Sequence, residues 1–208
     1  MKKKFFALGL IMLFLVQTVT FAHWADPQIN ILTENEVLDK VFEIEGLSDI
    51  LKRPITREEF FSLMAVAKNV ESDVKTKDFI DYPEISDKYV KYINALIRDG
   101  VVVGNLEDEE IYIKPKEDIT RQEASVILCK MLELTYDEYT LNFEDVNNIS
   151  PWALPYIKGV VRAHIINGYP DNTVRPRDSI TIAEAICMIG NLYTTDYIKT
   201  VEIFAGLY

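Results

Sequence analysis

Apolar residues recur at helical spacing in five stretches of this chain, and each stretch follows a polar residue suited to capping a helix. Phe60, Leu63, Met64 and Val66 form one stripe, Ala124, Ile127, Leu128 and Met131 a second, and Ala185, Ile186, Ile189 and Leu192 a third. Each of these follows the same cadence: Ile55-Thr56-Arg57-Glu58-Glu59, Ile119-Thr120-Arg121-Gln122-Glu123 and Ile180-Thr181-Ile182-Ala183-Glu184. The cadence predicts a capping box, in which Thr56, Thr120 and Thr181 accept from the amide three residues on, and Glu59, Glu123 and Glu184 reach back to the cap amide. The preceding Ile can staple onto Phe60, Ala124 or Ala185. Two further stripes, Tyr89, Tyr92, Ile93, Leu96 and Ile97 after Ser86, and Trp152, Ala153, Tyr156, Ile157, Val160 and Val161 after Ser150, predict helices ending near Gly100 and His164.

These elements repeat in register. Phe79, Asp81, Tyr92 and Ile93 recur 64 residues later as Phe143, Asp145, Tyr156 and Ile157, and Gly100 and Gly104 lie over His164 and Gly168. The offset falls to 61 at Pro115 and Pro176, so the middle copy carries a short insertion at Glu107-Asp108-Glu109-Glu110. His23-Trp24-Ala25 matches Pro151-Trp152-Ala153 and marks a more degraded first copy. The organisation read from this is a leader over 1–22, units at 23–75, 76–138 and 139–200, and a tail at 201–208. One short helical hairpin cannot bury both of its stripes, which predicts a mainly α fold with three helix-loop-helix units around a common helical core.

Charge and composition narrow the function classes. Lys2, Lys3 and Lys4, the apolar run Phe5 to Val16 and Thr20-Phe21-Ala22 read as a secretory signal cleaved after Ala22, with an uncleaved anchor as the alternative. Cleavage removes those three lysines and no acid, taking the formal charge from −11 to −14. Such a body repels phosphate polymers, so nucleic acid is not expected as a partner, nor is a membrane once the signal is removed. Cys129 and Cys187 fall inside helical stripes and read as buried thiols or a single bridge. His23 and His164 sit in no nucleophile or general-base arrangement, and the acidic insertion lacks the spaced ligands of a calcium loop, so no enzyme, cofactor or metal site is expected.

The third unit, through Phe143-x-Asp145-Val146, Trp152-Ala153, Tyr156-Ile157, Gly168-Tyr169-x-Asp171, Arg175-Pro176 and Ile180-Thr181-x-Ala183-Glu184, resembles the S-layer homology domains of bacterial cell-surface proteins. The second resembles them through Phe79-x-Asp81, Gly104 and Ile119-Thr120-Arg121-x-Glu123, and the first through Trp24-Ala25 and Ile55-Thr56-Arg57-x-Glu59. The resemblance implies three repeats in a pseudo-threefold spindle. It implies a secreted, non-catalytic protein of the cell wall or surface layer that binds a secondary wall polysaccharide, often pyruvylated, or a peptidoglycan-linked polymer. The alternative is an interaction or lattice subunit that uses the fold without binding sugar and contacts other envelope proteins.

Arg57 and Arg121, at the first position of their helices, are the expected partners of a ligand carboxylate, aided by free amides at the helix start. Solvated first-turn charges are the other reading. Trp24 and Trp152 are sugar platforms or core residues, and Gly104 and Gly168 allow close approach of a loop to a sugar ring. Asp171 joins the candidate site beside Gly168. Ile182 stands where the motif has Arg, so the third groove is expected to lack its main cation.

Overall fold

The computed structural model describes residues 24–134 and 139–194. The leader, His23 and the tail lie outside the described residues. Helices α1 (Asp26–Glu34), α2 (Leu47–Ile50), α3 (Arg57–Ala67), α4 (Asp87–Arg98), α5 (Arg121–Met131), α6 (Leu154–Arg162) and α7 (Ile182–Thr194) dominate, with one hairpin of β1 (Asn105–Glu107) and β2 (Glu110–Tyr112). The architecture is mainly α, as the periodicity predicts.

All three Thr-x-x-Glu sequences cap helices. Thr56 and Thr120 form complete boxes with Glu59 and Glu123, and Thr181 exchanges the same two bonds with Glu184 at 3.2 and 2.8 Å. The predicted caps of the other helices fare differently. Ser86 occupies the cap position of α4, but its hydroxyl donates to Glu58 Oε1 at 2.9 Å instead of capping. Ser150 lies one turn before α6, which starts at Leu154 behind Ala153; only the Ser150 carbonyl feeds the first turn, accepting from Ala153 and Leu154. Ala25 holds the same position before α1, so the weak match of Trp24-Ala25 to Trp152-Ala153 marks a true structural equivalence.

The three Ile residues before the caps meet. Ile55 N donates to Ile180 O at 3.0 Å, Ile180 N to Ile119 O at 3.1 Å, and Ile119 N to Ile55 O at 3.1 Å. This closed ring of three hydrogen bonds marks a pseudo-threefold axis, and all three side chains are buried around it. Behind the ring, α3 packs on α5 and α7, with Phe60, Leu63, Met64, Leu128 and Ile189 fully buried. The tightest helix pairs join neighbouring units: α3 with α4, α5 with α6, and α7 with α1. The last pair closes the circle, with Gly190 packed against the Cβ of Gln28 so closely that an added methyl would lie 2.6 Å from it.

The Phe-x-Asp repeat is a clamp. Asp81 accepts from the amides of Ile113 and Lys114 at 2.9 and 2.6 Å, and Asp145 from those of Val174 and Arg175, both at 2.8 Å. Lys114 and Arg175 have φ of 57° and 48°, so each carboxylate satisfies a left-handed turn that L residues seldom adopt. The insertion expected as a loop is a hairpin. Asp108 and Glu109 turn it with φ of 47° and 68°, the two positive angles of a type I′ turn. Its tip is exposed, as expected of an insertion. Cys129 and Cys187 are free thiols, which settles the choice between thiols and a bridge. Burial pushes both up to about 11.

Candidate functional site

The expected free amides at the helix starts are not free. Arg57 N and Glu58 N donate to Glu117 O and Pro115 O at 2.8 and 3.0 Å, while Arg121 N and Gln122 N donate to Asp178 O and Pro176 O at 2.9 and 2.8 Å. Ile182 N and Ala183 N donate to Arg53 O and Leu51 O, both at 3.0 Å. With the third amide held by the capping Thr, each helix start is satisfied by the chain itself. Any anion site must therefore be built from side chains.

Those side chains line grooves between units. In the first groove, of about 320 Å³, Arg57 and Phe61 of α3 face the loop at 101–105, α5 contributes Glu123, Ile127 and Lys130, and Trp152 and Tyr156 form the outer wall. In the second, of about 530 Å³, Arg121 faces the loop at 165–170, α7 contributes Glu184, Met188 and Asn191, and Trp24 stands in the place of Trp152. Trp24 and Trp152 are 61% and 52% exposed, so neither is a core residue. Each groove thus joins an arginine from one unit, a loop and helix from the next, and a tryptophan from the one after.

Neither Arg57 nor Arg121 is a solvated first-turn charge; each is only 7% exposed. Arg57 Nε donates to Ile113 O at 2.8 Å, its Nη1 to Glu123 Oε1 at 2.8 Å, and its guanidinium lies 5.3 Å from the Phe61 ring centre. Arg121 Nη2 donates to Asn167 O at 2.9 Å and its guanidinium lies 4.9 Å from the Tyr169 ring centre. Glu184, the counterpart of Glu123, stands 3.9 Å from Arg121 because its Oε1 accepts from the Tyr169 hydroxyl. Burial pushes the Tyr169 hydroxyl up to about 12, so it stays protonated as a donor. Asn105 occupies the position of Tyr169 in the first groove.

Gly104 and Gly168 line the grooves, but their lack of a side chain serves the protein's own packing. A Cβ on Gly168 would sit 2.4 Å from Phe143 Cε1, and on Gly104 2.6 Å from Phe79 Cε1. Packing against the two rings therefore requires both glycines, whatever the grooves hold. Asp171 does not line the second groove. It binds Thr173 Oγ1 at 2.6 Å and Arg175 Nη2 at 2.8 Å, contacts that hold its carboxyl down at about 2.

The third groove corrects the expectation that it lacks a cation. Ile182 is fully buried, and Arg53, three residues before the cap, sends Nη2 and Nη1 to the two oxygens of Glu59 at 2.7 and 3.1 Å. Glu59 is the counterpart of Glu123 and Glu184. Lys88 replaces the tryptophan, and Tyr89 fills the position of Ala25 and Ala153 with its hydroxyl on Val41 O at 2.9 Å. The cation is present but is paired bidentately, and the platform is absent. Sequence reasoning missed Arg53 because it lies outside the repeated motif, and missed the Glu59, Glu123 and Glu184 pairings because capping already explains those residues. Among the described residues no cluster of His, Cys, Asp or Glu is arranged to hold a metal ion.

The family model described as S-layer homology domain matches residues 78–125 and 142–186, so these two segments are S-layer homology domains. It is similar to the exoglucanase XynX of Acetivibrio thermocellus, 28% identical over 190 residues that cover 86% of this chain and 16% of that protein. It is also similar to the cellulosome-anchoring protein of Acetivibrio thermocellus, 40% identical over 34% of this chain and 17% of that protein. A third relative, the S-layer protein of Bacillus licheniformis, is 31% identical over 49% of this chain and 11% of that protein. The chain thus spans less than a fifth of each of these relatives.

Proposed function

We propose that this protein is a non-catalytic module of the bacterial cell surface that holds to a secondary wall polysaccharide through its first two grooves. The observation that carries the reading is the placing, twice over, of an exposed tryptophan with cationic side chains around a concave inter-unit groove, Trp152 with Arg57 and Lys130 and Trp24 with Arg121. An indole offers a sugar an apolar face, and fixed cations beside it favour an acidic substituent such as a pyruvate ketal. The three units at 23–75, 76–138 and 139–200 act as one body, export by the leader delivers it to the wall, and the third groove is the weakest site because Glu59 occupies its arginine and Lys88 stands in place of the tryptophan. Kinship with a cellulosome-anchoring protein and an S-layer protein supports surface association. No described helix is long and apolar enough to cross a membrane.

A second reading, an interaction or lattice subunit, is favoured by the exposed apolar side chains Ile80, Val103 and Leu106 on and beside the hairpin. Co-sedimentation with purified walls, before and after extraction of the secondary polymer, separates the two. The wall-binding reading expects pelleting that requires the polymer and is lost in a Trp24→Ala/Trp152→Ala variant. Retention in the supernatant with intact walls refutes it and leaves the interaction subunit.

A further inference from the structure

The two tryptophan grooves share a plan but differ in how their arginines are compensated. Glu123 and Glu184 are both fixed by their capping boxes, each with Oε2 on the backbone amide of the cap, so neither carboxylate is free to swing away. In the first groove this fixed Glu123 pairs with Arg57 at 2.8 Å, and Ile113 O holds Arg57 Nε. A ligand carboxylate approaching Arg57 meets a charge already neutralised, with a like charge beside it. In the second groove Tyr169 takes Oε1 of Glu184, and Arg121 keeps one short bond, from Nη2 to Asn167 O at 2.9 Å; its Nη1 is 3.4 Å from the Tyr169 hydroxyl and 3.9 Å from Glu184, and among the described residues Nε finds no acceptor.

The first groove has a replacement cation. Glu123, Ile127 and Lys130 lie on one face of α5, and the same face of α7 carries Glu184, Met188 and Asn191. Lys130 therefore stands where the second groove has a neutral amide. Among the described residues it forms no ion pair with a carboxylate, and its side chain is half-buried at the groove wall.

We infer that the two grooves hold an anionic group with different cations, Lys130 in the groove of Trp152 and Arg121 in the groove of Trp24, with Arg57 a structural ion pair and Tyr169 the positioning residue that keeps Arg121 available. The inference rests on the wall-polymer reading, and assigns a ligand contact to Lys130. A guanidinium presents a planar fork to a carboxylate, whereas an ammonium is a compact charge on a flexible stem. The first groove therefore tolerates varied placement of the acidic substituent, and the second is stricter.

The chain has two tryptophans, one in each groove, so 19F NMR of the 5-fluorotryptophan-labelled full chain reads the grooves separately. The probes are a methyl hexoside carrying a pyruvate ketal and the same hexoside carrying an uncharged acetone ketal. Lys130→Met is expected to raise Kd for the pyruvate ketal about tenfold at the Trp152 resonance, to the level of the acetone ketal, and to leave Trp24 unchanged. Tyr169→Phe is expected to weaken the pyruvate ketal at Trp24 alone, because Oε1 of the fixed Glu184 then faces Arg121 without the hydroxyl it now accepts from, and Asn105→Tyr to strengthen it at Trp152. Retention of full carboxylate preference at Trp152 in both Lys130→Met and Lys130→Gln, with its loss in Arg57→Lys, overturns the inference while leaving wall binding intact. If neither resonance responds to the pyruvate ketal in the parent protein, the inference and the wall-polymer reading fall together.

Discussion

Replacing Gly168 with Ala tests whether the loop glycines are dictated by the protein's own packing. A Cβ there would lie 2.4 and 3.0 Å from Cε1 and Cδ1 of Phe143 and 3.1 Å from Thr173 O. The ring must shift, and overpacking of this kind costs about 1–3 kcal/mol. For a chain of this size each kcal/mol lowers Tm by about 2–4 °C, so the variant should melt roughly 2–12 °C lower. Because the crowding comes mainly from the ring, a double-mutant cycle with Phe143→Leu should show favourable coupling of about 1 kcal/mol. Gly104 makes the contrast: its φ is +79°, and a Cβ would also meet the backbone oxygen of Tyr112 at 2.9 Å. Gly104→Ala should therefore cost about 1–2 kcal/mol more and resist rescue by Phe79→Leu, since neither the backbone conformation nor the carbonyl can yield. Urea denaturation with both cycles is the assay. Strict additivity of Gly168→Ala and Phe143→Leu, or an unchanged midpoint for Gly168→Ala, would refute the reasoning.

Thr120→Ala should lose about 1 kcal/mol of stability in the same assay, and Thr120→Ser should recover most of it. Gly190→Ala should push α1 off α7 and expose the seam, read as faster proteolysis between Asp26 and Glu34 with α3 to α6 still protected. Both thiols, at about 11, should be only on the order of 10⁻³ ionised at pH 8 and react correspondingly slowly with a thiol reagent in the folded protein. Asp171 is depressed to about 2 from an ordinary 3.8, so its loop contacts contribute fully above that ordinary value and vanish as pH falls through about 2. Carboxyl NMR should find this titration, and Arg175→Ala should move it upward.

What was legible in the sequence was local. A capping box is written in four consecutive residues, so all three cadences were recovered with their helices, and the recurrence of Phe-x-Asp gave the units even before the clamp on Ile113 and Lys114 explained it. The pairing of helices across units was not legible, because an amphipathic stripe says that a face is buried but not against which neighbour. The exposed tryptophans had to be seen in place, since an aromatic on a helical stripe reads equally as core. Arg53 illustrates a different limit. Its guanidinium reaches the site of the missing arginine from a loop before the cap, so position in the motif and position in space part company there. Glu123 and Glu184 occupy identical motif positions, yet one hydrogen-bonds its arginine directly and the other stands 3.9 Å from its arginine with the Tyr169 hydroxyl between them, where the first groove has Asn105.

The seam between α1 and α7 also orders events in time. Gln28 and Asn191, which hydrogen-bond across it at 3.2 Å, are 163 residues apart in the chain. The groove of Trp152 draws its walls from residues 57 to 156, whereas that of Trp24 needs residues as far apart as 24 and 191 at once. A chain made from its N-terminus can bring the residues of the first groove together before α7 exists, but must hold α1 without its partner until α7 has been made. The second groove therefore matures after the first, and its capacity to bind reports that α1 and α7 have met.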